Sequence, residues 1–175
     1  MILMVAKDIV LRKAKESDVP SLVELITRLK RLNEEFDPLF KVSDNIKEEG
    51  LKYIKSAIDS DRCLVVVAER GSKVIGMVKV DIKERLFYEP HEEGHIVDLY
   101  VLPEFRRLDV GKKLIAHIIN SLEGRVGIIT VEFPTLNRIS VGFYTEMGFR
   151  SVLSYYVKSS STQSNDARTV KNAPN

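Results

Sequence analysis

The chain has 175 residues, 27 Lys and Arg against 25 Asp and Glu for a formal charge of +2, and 44% hydrophobic residues. That length suits one domain burying roughly two thirds of its unfolded surface, with the composition of a soluble globular protein and too little charge to make nucleic acid the principal partner. One cysteine, Cys63, excludes an internal disulfide framework, Met1 to Ala6 is too short for a signal-peptide core, and no run could span a membrane, so the cytoplasm is the default compartment.

Ile9 to Leu11 predicts a first strand. Ser17 or Asp18 can cap the helix that follows, with Pro20 in its first turn and Val19, Leu22, Val23, Ile26 and Leu29 as its buried stripe. Asn33 to Phe40 interrupts the helical pattern and reads as a solvated loop anchored by two aromatics. A second helix is expected from about Asp44 to Ile58. Cys63 to Glu69 and Lys73 to Ile82 form a hairpin turning at Gly71-Ser72, with Cys63 as a buried thiol. Glu84 to Glu93 is a polar connection.

Ile96 to Leu102, rich in β-branched and aromatic residues, predicts a buried strand that Pro103 ends. A basic loop, Glu104 to Leu108, leads into a helix beginning near Asp109 or Val110. Val110, Leu114, Ile118 and Leu122 recur every four residues along it, with Ile115 and Ile119 beside them. Gly127 to Phe133 is another strand, ended by Pro134. Asn137 to Met147 is a short helix with Ile139, Phe143 and Met147 on one face, stopped by Gly148. Arg150 to Val157 is a sixth strand. Residues 1–158 read as one domain and 159–175 as a polar tail, within which Asp166 to Lys171 offers a faint last strand.

Strand, basic loop and helix start make the geometry of an anion site, because the first turn of a helix leaves amides unpaired. Arg106, Arg107, Lys112 and Lys113 bracket that spot. The run Arg106-Arg107-Leu108-Asp109-Val110-Gly111 resembles the acetyl-CoA loop of the GNAT superfamily of N-acetyltransferases, Gln/Arg-x-x-Gly-x-Gly/Ala. Arg106 and Gly111 match its outer positions, and Asp109 stands at its first glycine. Leu11 to Ala14 followed by Asp18, then Val74-Ile75-Gly76, then Asn137, Tyr144 and Gly148-Phe149, resemble further landmarks in order, so that the resemblance covers Ile9 to Val157.

The resemblance implies an α+β fold of layered α/β/α type: a mixed, mostly antiparallel sheet of six or seven strands flanked by about four helices. It implies that the central strand and the strand at Gly127 to Phe133 splay, exposing backbone near Leu99, Tyr100 and Val101 to the pantetheine arm. The pyrophosphate of acetyl-CoA would meet the amides of Arg107, Leu108, Asp109, Val110, Gly111 and Lys112 beside Arg106, and Asn137 and Tyr144 complete the cofactor-binding set. As an N-cap, the Asp109 carboxylate would bond the amides of Gly111 or Lys112 that a phosphate needs. It would then either swing outward and leave a weaker site, or block the site.

The implied chemistry is acetyl transfer from the thioester to a primary amine, directly within a ternary complex. An alkyl ammonium has no lone pair, so a base must take its proton. Glu132, five residues before Asn137, stands where N-terminal acetyltransferases of this superfamily place a carboxylate; simple alternation also points it, with Thr130, to water. His95, eleven residues before Arg106, falls where relatives place a second acid or base, or is a satisfied structural histidine. Tyr144, seven residues after Asn137, matches the thiol-protonating tyrosine, or is a half-buried tyrosine bonded elsewhere. Asp98 inside an apolar strand must be paired or functional, holding a backbone N–H or contacting the acceptor amine.

Glu34, Glu35 and Asp37 would form an acidic lip over a cationic small-molecule acceptor. Tyr155 and Tyr156 near the mouth, with Glu132 and His95, instead favour a protein N-terminus. A homodimer is allowed, and nucleic acid and membrane are not expected as partners. The three histidines show no metal-ligand spacing with Cys63 or each other, so no metal is expected. From another class comes an inactive cofactor-binding or regulatory module, which Asp109 would explain.

Overall fold

Apolar alternation and short turns lay the chain out as a sheet with helices on both faces. The computed structural model describes residues 8–159. β1 (Ile9–Lys13) is followed by α1 (Val19–Glu34) and α2 (Ile46–Ile58), then by the hairpin of β2 (Cys63–Arg70) and β3 (Lys73–Glu84). Gly71 turns that hairpin at φ 62°, a backbone glycine adopts without steric cost. β4 (Glu92–Val101), α3 (Val110–Ser121), β5 (Ile128–Val131) and α4 (Arg138–Glu146) complete the fold. The sheet order is β1-β2-β3-β4-β5. The first four strands are antiparallel; β5 runs parallel to β4, which requires a crossover, here α3. No helix among the described residues is long and apolar enough to cross a membrane.

α1 and α2 pack on one face of the sheet and α3 on the other. The apolar stripe of α3 buries Leu114, Ile115 and Ile118 completely, each worth roughly 1.5–3 kcal/mol relative to an exposed side chain. Ile119 and Ile139, both expected on apolar faces, stand exposed. Between β3 and β4 the register shifts: Lys79 lies opposite Asp98 but Val80 lies opposite Ile96, so Val97 is an extra, bulged residue.

The structure corrects several boundaries and one strand. β4 begins at Glu92, not Ile96, because Glu84 to Ile82 supply ladder partners for its polar start. Asp18 makes no capping bond to α1; its carboxylate takes hydrogen bonds from Arg12 at 2.7 and 2.9 Å and from the Lys15 amide at 2.8 Å. Among the described residues the sheet has five strands rather than six or seven. Residues 150–158 have no regular structure, and Val152, Leu153, Tyr155, Tyr156 and Val157 are exposed. Strand-forming residues make a strand only where a ladder and a face receive them. The faint strand at Asp166 to Lys171 lies outside the described residues.

Candidate functional site

β4 and β5 pair from Glu93 opposite Ile128 to Ile96 opposite Val131 and then part, while β4 runs on against β3 to Val101. The parting begins at the bulged Val97. Beyond it, the outer edge of β4 through Leu99, Tyr100 and Val101 has no strand partner among the described residues. The gap is a cleft walled by Leu29 and Asn33 of α1, Val97 and Leu99 of β4, and Glu132 and Tyr144. Backbone freed in this way can take an extended ligand as an added strand.

The loop between β4 and α3 is braced from both sides. Arg106 lays its guanidinium over the Tyr100 ring, 5.4 Å from the centroid, and its Nε donates to the Val101 carbonyl at 3.0 Å. Arg107 and Asp109 hold φ values of 67° and 57°. Such left-handed backbone costs most residues roughly 1–2 kcal/mol, and aspartate tolerates it better than most. Asp109 therefore keeps the backbone for which the motif uses glycine. Its side chain makes no capping bond; its carbonyl accepts the first bond of α3, from the Lys113 amide at 2.9 Å. The carboxylate thus leaves the amides of Val110, Gly111 and Lys112 alone. Gly111 lets α3 approach α4, since a β-carbon there would sit 3.3 Å from the Phe143 ring. Lys112 bonds Glu146 of α4 at 2.5 Å, and this bond raises the ammonium pKa. Unclaimed amides, cationic side chains and a bare strand edge fit the pyrophosphate and pantetheine arm of acetyl-CoA.

On the face carrying α1 and α2, one transverse row crosses four strands: Cys63 opposite Asp81, Asp81 opposite His95, His95 opposite Thr130. His95 is 7% exposed. Its Nδ1 lies 2.9 Å from Thr130 Oγ1. Its Nε2 is buried with no hydrogen-bond partner among the described residues, and lies 3.7 Å from Glu132 Oε2, too far for a bond. Glu132 follows β5, its side chain 76% exposed. An orphaned buried nitrogen is costly unless something satisfies it, and here it faces a carboxylate at the cleft mouth.

Tyr144 stacks on Phe133 at 5.3 Å and meets Phe143 and Phe149 edge-on at 5.0 and 5.3 Å. Burial pushes its hydroxyl pKa up, so it keeps its proton at neutral pH. Asn137 accepts the Ser140 amide at 3.1 Å as the cap of α4.

His95, Glu132, Asn137 and Tyr144 are thus brought together. Asp98 is not among the groups open to an acceptor: it is 1% exposed, Oδ1 accepts from Lys30 Nζ at 2.6 Å and Oδ2 from the Tyr53 hydroxyl at 2.5 Å. It is paired, with two side chains rather than with the expected backbone N–H. Glu34, Glu35 and Asp37 are not part of the cleft wall, and Asp37 caps a turn by accepting the Leu39 amide at 2.8 Å. Tyr155 stands exposed in the irregular 150–158 segment. Lys30, Tyr53, Lys79, Asp81 and Thr130 complete the polar face, and only Thr130 was marked in the sequence, as a water-facing residue. Lys79 and Asp81, two charges on one face of an apolar strand, were the readable signal for the rest.

Residues 29–149 match the acetyltransferase (GNAT) family. An uncharacterized N-acetyltransferase of Archaeoglobus fulgidus is 29% identical over 104 residues, 59% of this chain and 67% of that protein. Among solved structures, an aminoglycoside N-acetyltransferase in complex with CoA is similar with a TM-score of 0.69 at 17% identity, covering 86% of this chain and 94% of that one. A transcriptional regulator from Bacillus halodurans C-125 is similar with a TM-score of 0.70 at 17% identity, covering 86% and 99%. Glucosamine-6-phosphate N-acetyltransferase from Arabidopsis thaliana gives 0.65 at 19% identity, covering 87% and 99%.

Proposed function

The chain belongs to the GNAT family of acetyltransferases, and from that premise we propose that it transfers acetyl from acetyl-CoA directly to a small primary amine in a ternary complex. The observation that carries the reading is the buried Nε2 of His95, unpartnered among the described residues and facing Glu132 at the mouth of the β4–β5 cleft. Acetyl-CoA, when bound, supplies an acetyl group activated as a thioester. The edge at Leu99 to Val101 receives its arm, and the amides from Arg107 to Lys112, flanked by Arg106, hold the pyrophosphate. Glu132 takes the proton from the incoming ammonium, freeing its lone pair, while His95 holds the migrating proton, or a water that carries it, at Nε2. As the C–N bond forms and the C–S bond breaks, the Tyr144 hydroxyl, kept protonated by its apolar surroundings, would give its proton to the departing sulfur and be restored by the second proton that the nitrogen sheds.

Asp109 makes no capping bond to the helix-start amides, which supports an active enzyme over an inactive module. Tyr155 and Tyr156 stand outside the cleft wall, and a structural neighbour is an aminoglycoside N-acetyltransferase; both support a small amine over a protein N-terminus. The test is thiol release from acetyl-CoA against polyamines, amino acids, aminoglycosides and peptides with free N-termini. Turnover with small amines is expected. Turnover with peptides alone would overturn the acceptor class, and acetyl-CoA binding with no turnover on any amine would restore the inactive module.

A further inference from the structure

Asp98 is the first residue past the bulged Val97 whose side chain points to the face under α1 and α2. Two elements converge on it. Lys30 belongs to α1, next to Leu29 and one turn before Asn33, both in the cleft wall. Tyr53 belongs to α2. Burial, then the charge of Asp98, raises the Tyr53 pKa, so its hydroxyl remains a donor. Beneath it, the Lys79 ammonium lies 4.6 Å from the Tyr53 ring centroid and is paired with Asp81, which also accepts from the Cys63 thiol at 3.1 Å. Positive and negative groups alternate through Lys30, Asp98, Lys79 and Asp81, so the network is neutral as a whole. Its one full carboxylate-to-helix link sits where β4 leaves β5.

We infer that Asp98 is a positioning residue: by tying α1 and α2 to β4 at the point where the cleft opens, it sets the acceptor-side wall formed by Leu29 and Asn33. The inference rests on the cleft being the transfer site. It follows from geometry, since Oδ1 and Oδ2 each hold a different helix and neither is open to a ligand. A carboxylate that served only as a buried charge would need one partner; this one takes a partner from each of two helices.

Removing Lys30 alone leaves a buried carboxylate half-compensated and can unfold the protein, whereas removing both charges together is commonly neutral for stability. The decisive variant is therefore the double change Lys30→Met with Asp98→Asn, beside Lys30→Arg as the conservative form and Tyr53→Phe, which releases α2 alone. In the double variant the KM for an accepted amine should rise on the order of tenfold, since small displacements of a substrate-positioning wall are expensive. Its acetyl-CoA affinity and melting temperature should stay near wild type, and Lys30→Arg should restore much of the KM. Amide exchange at Leu29 to Asn33 should quicken while α3 is unaffected. A double variant with wild-type KM and wild-type exchange in α1 would overturn the inference. If the wild-type protein turns over no amine, the transfer reading fails on its own, and unchanged exchange at Leu29 to Asn33 would still overturn the tie between Asp98 and the wall.

Discussion

The two faces of the sheet are built on opposite terms. Toward α3, Val66, Val78, Val80 and Ile96 are buried in a dry layer with Leu114, Ile115 and Ile118. Toward α1 and α2, the same strands set Cys63, Lys79, Asp81, His95 and Asp98 beside the buried Val65, Val67 and Met77. Alternation, reset in β4 by the bulge at Val97, lets one strand supply stability with one set of side chains and chemistry with the other. The polar face is affordable because its groups satisfy one another: Asp98 with Lys30 and Tyr53, Asp81 with Lys79 and Cys63, His95 Nδ1 with Thr130. Among the described residues His95 Nε2 is left over, 3.7 Å from Glu132 of the cleft wall.

If that division is right, changes at the exposed, cleft end of the polar face should alter rate without altering stability. The largest effect is expected at Glu132, whose exposure makes it dispensable for folding. Glu132→Gln should lower kcat by roughly 10²- to 10⁴-fold with acetyl-CoA affinity and melting temperature unchanged. His95→Gln should act alike if the histidine carries the proton. Tyr144→Phe should also slow transfer, with a penalty that shrinks at low pH, where solvent can protonate the sulfur. Wild-type rates across the pH range for Glu132→Gln, His95→Gln and their combination would sink the assignment.

The dry face should behave in the reverse sense. Leu114→Ala should cost about 2–5 kcal/mol in denaturant unfolding, while kcat per folded molecule holds. A loss of rate at unchanged stability would show that the two faces are not separable.

Away from both faces, the Arg12–Asp18 pair gives a smaller effect with a pH signature. The hydrogen bond from Arg12 holds the Asp18 carboxyl below its ordinary range. A depressed carboxylate stabilises the fold above its unfolded pKa and loses that contribution as pH falls through the folded value. Asp18→Asn should cost on the order of 1 kcal/mol at pH 7, with the gap to wild type closing in acid; a deficit independent of pH would show that packing, not charge, is at stake.

The smallest change is expected at the helix start. Asp109→Asn keeps a residue suited to φ 57° and removes a negative charge beside the pyrophosphate site. Acetyl-CoA should bind a few-fold more tightly by calorimetric titration, and the gain should fade at high salt. A gain that persists in salt would mean that the carboxylate contests the amides after all.

Local signals carried most of this architecture. The hairpin at Gly71, the strand end at Pro103, the four-residue spacing of α3 and the stop at Gly148 all depend on neighbours in sequence, and all appear in the structure. His95, Glu132 and Tyr144 were legible through a motif, since their spacing survives even where Asp109 departs from it. What stayed hidden depends on register. Lys30 and Tyr53 lie 68 and 45 residues from Asp98, so nothing local connects them. The segment 150–158 misled for the complementary reason: its composition is strand-like, but a strand needs a ladder partner that composition does not name.

The bulge at Val97 acts as a change of phase in the in-and-out code of β4. Before it, odd-numbered residues such as Glu93 and His95 look toward the helix pair; after it, even-numbered ones, Asp98 and Tyr100, do so. One extra residue is therefore what lets an imidazole and a carboxylate three positions apart share a face, something an unbroken strand forbids. Ironing the bulge flat, with Val97 taking a ladder place of its own, would invert the upper strand, driving the Asp98 charge into the hydrocarbon beneath Leu114 and turning Leu99 and Val101 toward Lys30.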